Sequence, residues 1–357
     1  MAGTDGRAVA FNRSKWDKGR MSMNRLFGMI LAAAMTTALL PGCIYLDGNR
    51  GQRPAPTLSS GPSEAQKQVL DEAEHARLAG DYESALNLFR EVLAQNPTIT
   101  TAYLGIGSIH LEQKNYEEAE PAYARAARLE PRNFDAQFGH AIALQMLNRL
   151  VEAVRAYQRA LSINPDHPRA NLNLATTFLQ MDDSRSAVVF AERAVANDPE
   201  NGNARVNLGA VYEKLGRNSE AIDQYLTAME LIDDAGPVML NLINVLGKER
   251  RYQEAVNTAE NLVRYDPSAN AYERLGWGYF RLGEYDKSIN AYRKAVDLDP
   301  QHWPSWSGVG VNALNTWLLS ERQDQAAFRE ARDAFRRSLR INPDQSRLVT
   351  LMSNYGL

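Results

Sequence analysis

From residue 64 onward, apolar residues recur at helical spacing between regularly placed helix-breaking residues. Proline stands at positions 97, 131, 165, 199, 267, 300 and 343. The first four of these prolines lie 34 residues apart, and the 68 residues from Pro199 to Pro267 span two such periods, with Asp233 at the omitted place. One period accommodates two helices of three to four turns with short loops. The pattern therefore predicts an array of helix pairs.

Small residues occupy the positions where two helices of a pair must approach closely. On the first helix these are Gly107, Ala141, Ala175, Gly209 and Gly276. On the second helix they are Ala85, Ala119, Ala153, Ala187, Ala221 and Ala255. Aromatic side chains such as Phe89, Tyr123, Tyr157 and Tyr225 are expected to fill the space between consecutive pairs. Because one pair cannot bury its apolar face alone, the pairs are expected to stack into one cooperative solenoid.

These offsets resemble those of tetratricopeptide repeats. Residues 273–300, ERLGWGYFRLGEYDKSINAYRKAVDLDP, carry the family pattern most fully, and residues 115–131, NYEEAEPAYARAARLEP, carry much of it. The resemblance implies an all-α fold, a right-handed α-solenoid of about eight TPR helix pairs over residues 64–343, with a capping helix at 344–357. Nine additional residues around positions 317–328 predict a longer first helix or a protruding loop in the eighth pair.

The first 42 residues are organised like a secretory signal. Residues 26–40 contain no charge, follow two arginines and end in a Pro-Gly pair directly before Cys43, the only cysteine of the chain. The letters LPGC that end at Cys43 resemble the lipobox of bacterial lipoproteins. That resemblance implies that Cys43 is acylated and becomes the mature N-terminus, since two or more acyl chains give stable membrane anchoring.

Residues 43–63 are then the lipidated N-terminus and a linker, which is rich in Pro, Gly and Ser and is expected to be flexible. Ile44 rather than Asp follows the cysteine, which in lipoproteins similar to those of enteric bacteria implies the outer membrane, on its periplasmic face. An uncleaved membrane helix is the alternative. Met21 or Met23 would begin a signal of ordinary length, which makes residues 1–20 an optional part of the translated chain.

Charge and motif content narrow the possible activities. Six of the 40 Lys and Arg residues and two of the 43 Asp and Glu residues precede Cys43, so the remainder carries a net charge of −7. An acidic body argues against nucleic-acid binding, which needs a basic surface. The sequence has no HExxH, phosphate-loop or GxSxG motif, and its five histidines are scattered. We expect no enzymatic activity, no cofactor, no metal site and no small-molecule substrate.

Three asparagines occupy the same expected inward position on successive first helices. Asn173, Asn207 and Asn241 lie 34 residues apart, and Asn244 follows the last of them by one turn. Because a side-chain amide both donates and accepts hydrogen bonds, such a row could pair with the backbone of an extended peptide. The row resembles the asparagine ladder in the repeat superhelix of O-GlcNAc transferase. The alternative interpretation is that asparagine is a solvated polar residue at this position.

A patch of aromatic and basic residues is predicted on the seventh pair. Helical register directs Trp277 and Phe280 into the groove, with Arg274 and Arg281 nearby. Exposed aromatic side chains beside arginine are typical of anchor positions in protein interfaces. The alternative is that Trp277 packs against the long first helix of the eighth pair.

Together these features predict a membrane-anchored scaffold that binds a protein or an extended peptide in its groove. Anchor and architecture resemble the accessory lipoproteins of pilus and secretion assembly, such as pilotins and the tight-adherence component, which dock or stabilise an outer-membrane secretin. An adaptor for cell-wall or outer-membrane protein assembly is the main alternative, and a cytoplasmic adaptor is the third.

Overall fold

The computed structural model describes residues 61–357, and this part of the chain contains seventeen α-helices and no strand. The first sixteen form eight consecutive pairs, as expected, and the seventeenth caps the array. The helices are α1 Glu64–Leu78, α2 Tyr82–Gln95, α3 Thr100–Glu112, α4 Tyr116–Leu129, α5 Phe134–Met146, α6 Leu150–Ile163, α7 Pro168–Gln180, α8 Ser184–Asn197, α9 Gly202–Lys214, α10 Asn218–Leu231, α11 Gly236–Lys248, α12 Tyr252–Tyr265, α13 Ala269–Leu282, α14 Tyr285–Leu298, α15 Trp303–Leu319, α16 Gln325–Ile341 and α17 Ser346–Tyr355.

One residue in the left-handed conformation joins the two helices of each of the first seven pairs, and two such residues, Glu321 and Arg322, join those of the eighth. The residue is a glycine in three of the turns, among them Gly216 with φ +75°, but Lys114 has φ +62° and Arg250 has φ +58°. The chain then folds back so that a backbone N–H of the next residues bonds to the last turn of the first helix, as from Asn115 N to His110 O at 2.8 Å. This bond satisfies a carbonyl left free at the helix end and sets the short reversal of each pair.

Aromatic rings of the second helices lie between consecutive first helices. A methyl group at Gly107, in the same pair as Tyr123, would lie 2.7 Å from its ring, and one at Gly139 in the following pair would lie 2.2 Å away. Tyr292 is held in the same way between Gly276 and Gly308. The predicted small residues of the second helices, Ala85, Ala119, Ala153, Ala187, Ala221 and Ala255, are all fully buried. Close packing around these rings therefore joins a pair to the next wherever the ring is present, whereas the fourth and sixth pairs carry Ala191 and Ala259 at this position.

The first helices form the inner wall of the array. Each first helix contacts the next along the chain, from α1 against α3 to α13 against α15, whereas within residues 61–357 successive second helices make no comparable contact. Consecutive elements that touch on one side and diverge on the other produce curvature. The first helices thus line a concave surface, which we call the groove.

The eighth pair differs from the others in length. Both α15 and α16 have 17 residues, whereas the earlier first helices from α3 onward have 13 or 14. The additional residues thus lengthen both helices, whereas the sequence predicted either a longer first helix or a protruding loop. Trp317 in the last turn of α15 packs on Phe328 of α16, with ring centroids 4.9 Å apart. The expected cap is present, with Leu348 and Met352 buried against this pair.

The ring contact between pairs makes a testable prediction. Gly139→Ala should lower the free energy of unfolding by about 1–3 kcal/mol, because its methyl group overlaps the ring of Tyr123. In a chain that already carries Tyr123→Ala, the same change should cost nothing or stabilise, since alanine favours helix over glycine by about 1 kcal/mol. Urea unfolding of the four chains in this double-mutant cycle measures the coupling. Equal costs in both backgrounds would contradict this account of the packing.

Candidate partner-binding groove

The asparagine row begins beside the ring of a preceding pair. Asn173 on α7 is half-buried and lies against Tyr157 of α6. Burial raises the pKa of the Tyr157 phenol, and its contact with Asn173 partly opposes that rise. In the second and third pairs the equivalent residues are Gly105 and Gly139, which pack directly on Phe89 and Tyr123. The position is therefore either a glycine beneath a ring or an amide on the groove wall.

The other members of the row differ in how many hydrogen bonds they already make. The Nδ2 of Asn207 donates to Thr176 Oγ1 at 2.8 Å, while its Oδ1 has no hydrogen-bond partner within residues 61–357. Asn241 is half-buried and Asn244 is exposed. Neither of their side chains is engaged in a hydrogen bond in the described part of the chain. Donors and acceptors of the row thus remain available for a partner at its C-terminal end.

Trp277 combines features of its two predicted placements, exposure in the groove and packing against the eighth pair. Its ring packs on Gly247 at the end of α11 and meets Tyr252 edge-on, with centroids 6.1 Å apart. It also packs against the cluster that includes Val309 of the eighth pair. The side chain nevertheless remains partly exposed. Contacts with both neighbouring pairs hold the indole in one orientation at the surface.

The basic residues predicted near Trp277 separate into two environments. Arg281 is exposed and lies over the Tyr252 ring, 4.7 Å from its centroid, which places it beside Trp277. Arg274 instead pairs with its neighbour Glu273 at 3.3 Å. Phe280 is half-buried and packs edge-on against Tyr285, with centroids 5.4 Å apart. Tyr252, which the sequence pattern did not single out, connects Trp277 to Arg281 through cation–π and edge contacts.

A second part of the groove was not anticipated from the sequence. A cleft of about 380 Å³ lies over the second to fourth pairs, with Leu104, Phe138 and Ile142 among its lining residues. At this cleft the Tyr123 hydroxyl lies 3.0 Å from Ser108 Oγ. Because glycine at position 139 leaves room for the Tyr123 ring, the wall here has a ring where the middle of the groove carries amides, and charged side chains also line it. The sequence feature that could have indicated this difference is the change from glycine at position 139 to asparagine at position 173, the equivalent position of the next pair.

One carboxylate beside the groove is held in an unfavourable environment. Glu273 has a side chain that is only 17% exposed, and Arg274 is its ion-pair partner at 3.3 Å. Burial raises the pKa of Glu273 above the ordinary glutamate value, and the positive charge of Arg274 offsets only part of that effect. Ionised Glu273 therefore destabilises the folded chain relative to its neutral form.

Residues 61–357 also bear on the predictions about membranes and metals. No helix there is both long and apolar enough to cross a bilayer. The same residues contain no group of three or more His, Cys, Asp or Glu side chains arranged to hold a metal ion. Cys43 and the signal-like segment lie outside the described residues.

Comparisons with known proteins place the array in a family. The model described as tetratricopeptide repeat matches residues 70–129, 115–168, 172–237 and 240–302, which is more than half of the chain. Anaphase-promoting complex subunit 3 of Schizosaccharomyces pombe is 31% identical over 110 residues, which cover 30% of this chain but only 15% of that protein.

Solved structures that are similar to parts of this chain include two repeat proteins. A tetratricopeptide repeat protein from Parabacteroides merdae has a TM-score of 0.49 at 16% identity, covering 70% of this chain and 99% of that one. The pilF protein of Pseudomonas aeruginosa has a TM-score of 0.48 at 20% identity, covering 58% and 94%.

The environment of Glu273 predicts a pH-dependent stability. Because its pKa is raised in the folded chain, the stability that Glu273 contributes when protonated is lost as pH rises from the ordinary glutamate range through the raised value. Glu273→Gln should therefore raise the melting temperature at pH 7 and have little effect at pH 4. Exposed Glu254, whose pKa is lowered by its hydrogen bond with Arg251, provides the control. Glu254→Gln should not stabilise at pH 7, and equal behaviour of the two variants would refute the assignment.

Proposed function

The chain belongs to the tetratricopeptide repeat family, whose arrays act as protein-binding scaffolds, and we propose that it is a membrane-anchored scaffold that binds an extended polypeptide segment in its groove. The observation that carries this proposal is the inner row of amides. It begins at Asn173 beside Tyr157 and ends at Asn241 and Asn244, whose side chains make no hydrogen bond among the described residues. Amides in a row match the alternating donors and acceptors of an extended backbone.

The contacts around Trp277 support an anchor at the end of this row. The indole is held by Gly247 and Tyr252, so binding a partner there would immobilise few additional side chains. Rigid, partly exposed aromatic residues beside arginine have the properties of interface hot spots. A bound segment would therefore run along the asparagines and place an apolar side chain beside Trp277 and Arg281.

The proposed location is the bacterial cell envelope, and the proposed role is assembly of an envelope machine such as a pilus or a secretion system. Support comes from the signal-like segment and from Cys43 directly after Leu-Pro-Gly. The linker rich in Pro, Gly and Ser would let the array stand away from the membrane that holds the lipid.

The groove is tested by quantitative capture from detergent-solubilised envelope. A chain carrying Asn173→Ala, Asn207→Ala and Asn241→Ala should bind its partner about tenfold or more weakly, because several hydrogen bonds are lost together. Asn87, Gln158 and Asn261 are exposed on second helices, and the same three changes to alanine there form the matched control. Circular dichroism should show unchanged helicity in both. If the groove variant retains every protein that the control captures, the proposed peptide groove is wrong.

The anchor is tested separately. Cys43→Ser should move the protein from the membrane to the soluble fraction and abolish incorporation of labelled fatty acid, because serine cannot form the thioether of a lipoprotein N-terminus. Capture by the groove should persist in this variant once the envelope is solubilised. Continued membrane retention without lipid labelling would favour a spanning helix, and an unprocessed cytoplasmic product would favour the cytoplasmic adaptor.

A further inference from the structure

The lengthened eighth pair opens a cleft outside the groove. Its two lobes, of about 500 and 260 Å³, lie between the first turns of α14 and the end of α15 with the beginning of α16. Tyr285, Asp286 and Thr316 line both lobes, so the cavity is continuous. Leu319, in the added length of α15, is 67% exposed at its edge. The cleft therefore exists because α15 and α16 are longer than the helices of the preceding pair.

The floor of the smaller lobe carries an amide with an unused acceptor. Asn312 is only 2% exposed, and its Nδ2 donates to Ser288 Oγ and to Gly308 O, both at 3.0 Å. Ser288 Oγ in turn donates to Gly276 O, so both neighbours of Nδ2 act as acceptors and fix the orientation of the amide. Its Oδ1 has no hydrogen-bond partner within residues 61–357. The partial negative charge on this amide oxygen thus remains uncompensated beneath the cleft.

The net charge of the side chains around the cleft is negative, like the partial charge on this carbonyl oxygen. Glu330 is neutralised by Arg293 at 2.7 Å, and Glu284 by Lys287 at 2.6 Å. Asp286 and Asp324 also line the cleft, and neither has an ion-pair partner among the described residues.

One carboxyl oxygen of Asp324 accepts from the N–H groups of Ala326 and Ala327 at the start of α16, which leaves its second oxygen available. Two unpaired carboxylates and an uncompensated carbonyl dipole therefore favour a cation that donates hydrogen bonds.

The remaining wall fits the aliphatic part of such a cation. Ile289, Ala313 and Leu319 supply apolar surface, and Tyr285 offers an aromatic ring. An arginine side chain buries its methylene groups on surfaces of this kind while its guanidinium group reaches carboxylates. The combined volume also leaves room for residues beside the arginine.

We propose that this cleft is a second binding site, which takes an arginine flanked by aliphatic residues in a partner polypeptide. Recognition uses Asp286 and Asp324 for the guanidinium group and the apolar wall for its neighbours. The site lies on different helices from the asparagine row, so it does not depend on the function proposed for the groove.

The test uses the full chain in nonionic detergent with a dye-labelled peptide, acetyl-Leu-Arg-Leu-amide, followed by fluorescence anisotropy. Replacing the arginine by citrulline, which is nearly isosteric but neutral, should weaken binding about tenfold or more, and so should Asp286→Asn combined with Asp324→Asn. Asparagine caps a helix as well as aspartate does, so Asp324→Asn keeps the start of α16 intact. Asp297→Asn with Asp333→Asn, at exposed positions of the same two helices, should leave binding unchanged.

Four outcomes would overturn the proposal. Equal binding of the arginine and citrulline peptides would show that the cleft does not recognise the cation. Unchanged binding in the variant of Asp286 and Asp324 would place the peptide elsewhere, and loss of binding in the variant of Asn173, Asn207 and Asn241 would place it in the groove. Displacement of the peptide by spermidine at equal concentration would show that the site binds small cations by charge alone rather than a polypeptide.

Discussion

The insertion of an aromatic ring between consecutive first helices is the contact that joins most of the helix pairs. Tyr123 fits only because positions 107 and 139 have no side chain, and Tyr292 fits between Gly276 and Gly308 for the same reason. Each ring packs on its own pair and on the next, so a pair in isolation would leave part of it exposed. The ring contact therefore contributes to the cooperativity of the array.

The same contact determines what the groove can present. A first-helix position that faces the preceding ring must either be glycine, as at Gly139, or carry a side chain that turns onto the wall, as at Asn173. The N-terminal part of the groove consequently has a cleft lined by Leu104 and Phe138 together with charged side chains, and its middle carries amides. One structural constraint thus produces two kinds of binding surface along a single array.

Much of the fold could be predicted from the sequence, because close helix packing restricts residue size at fixed intervals. The buried alanines of the second helices and the capping residues Leu348 and Met352 were visible in this way. Side-chain contacts between pairs were less predictable. Tyr252 stands at the start of α12, where packing does not restrict residue type, and nothing in the pattern indicated its contacts with Trp277 and Arg281. The nine extra residues indicated a longer first helix or a protruding loop. Their division between α15 and α16, and the cleft beside them, could be seen only in the structure.

Contact between successive first helices, without comparable contact between successive second helices, has a mechanical consequence. In such an array the second helices can move apart on the outside while the first helices stay in contact along the groove. Small changes in pitch, summed over eight pairs, would change the end-to-end length of the array by much more than any two neighbouring pairs move relative to each other. The array would therefore gain extensibility without unfolding.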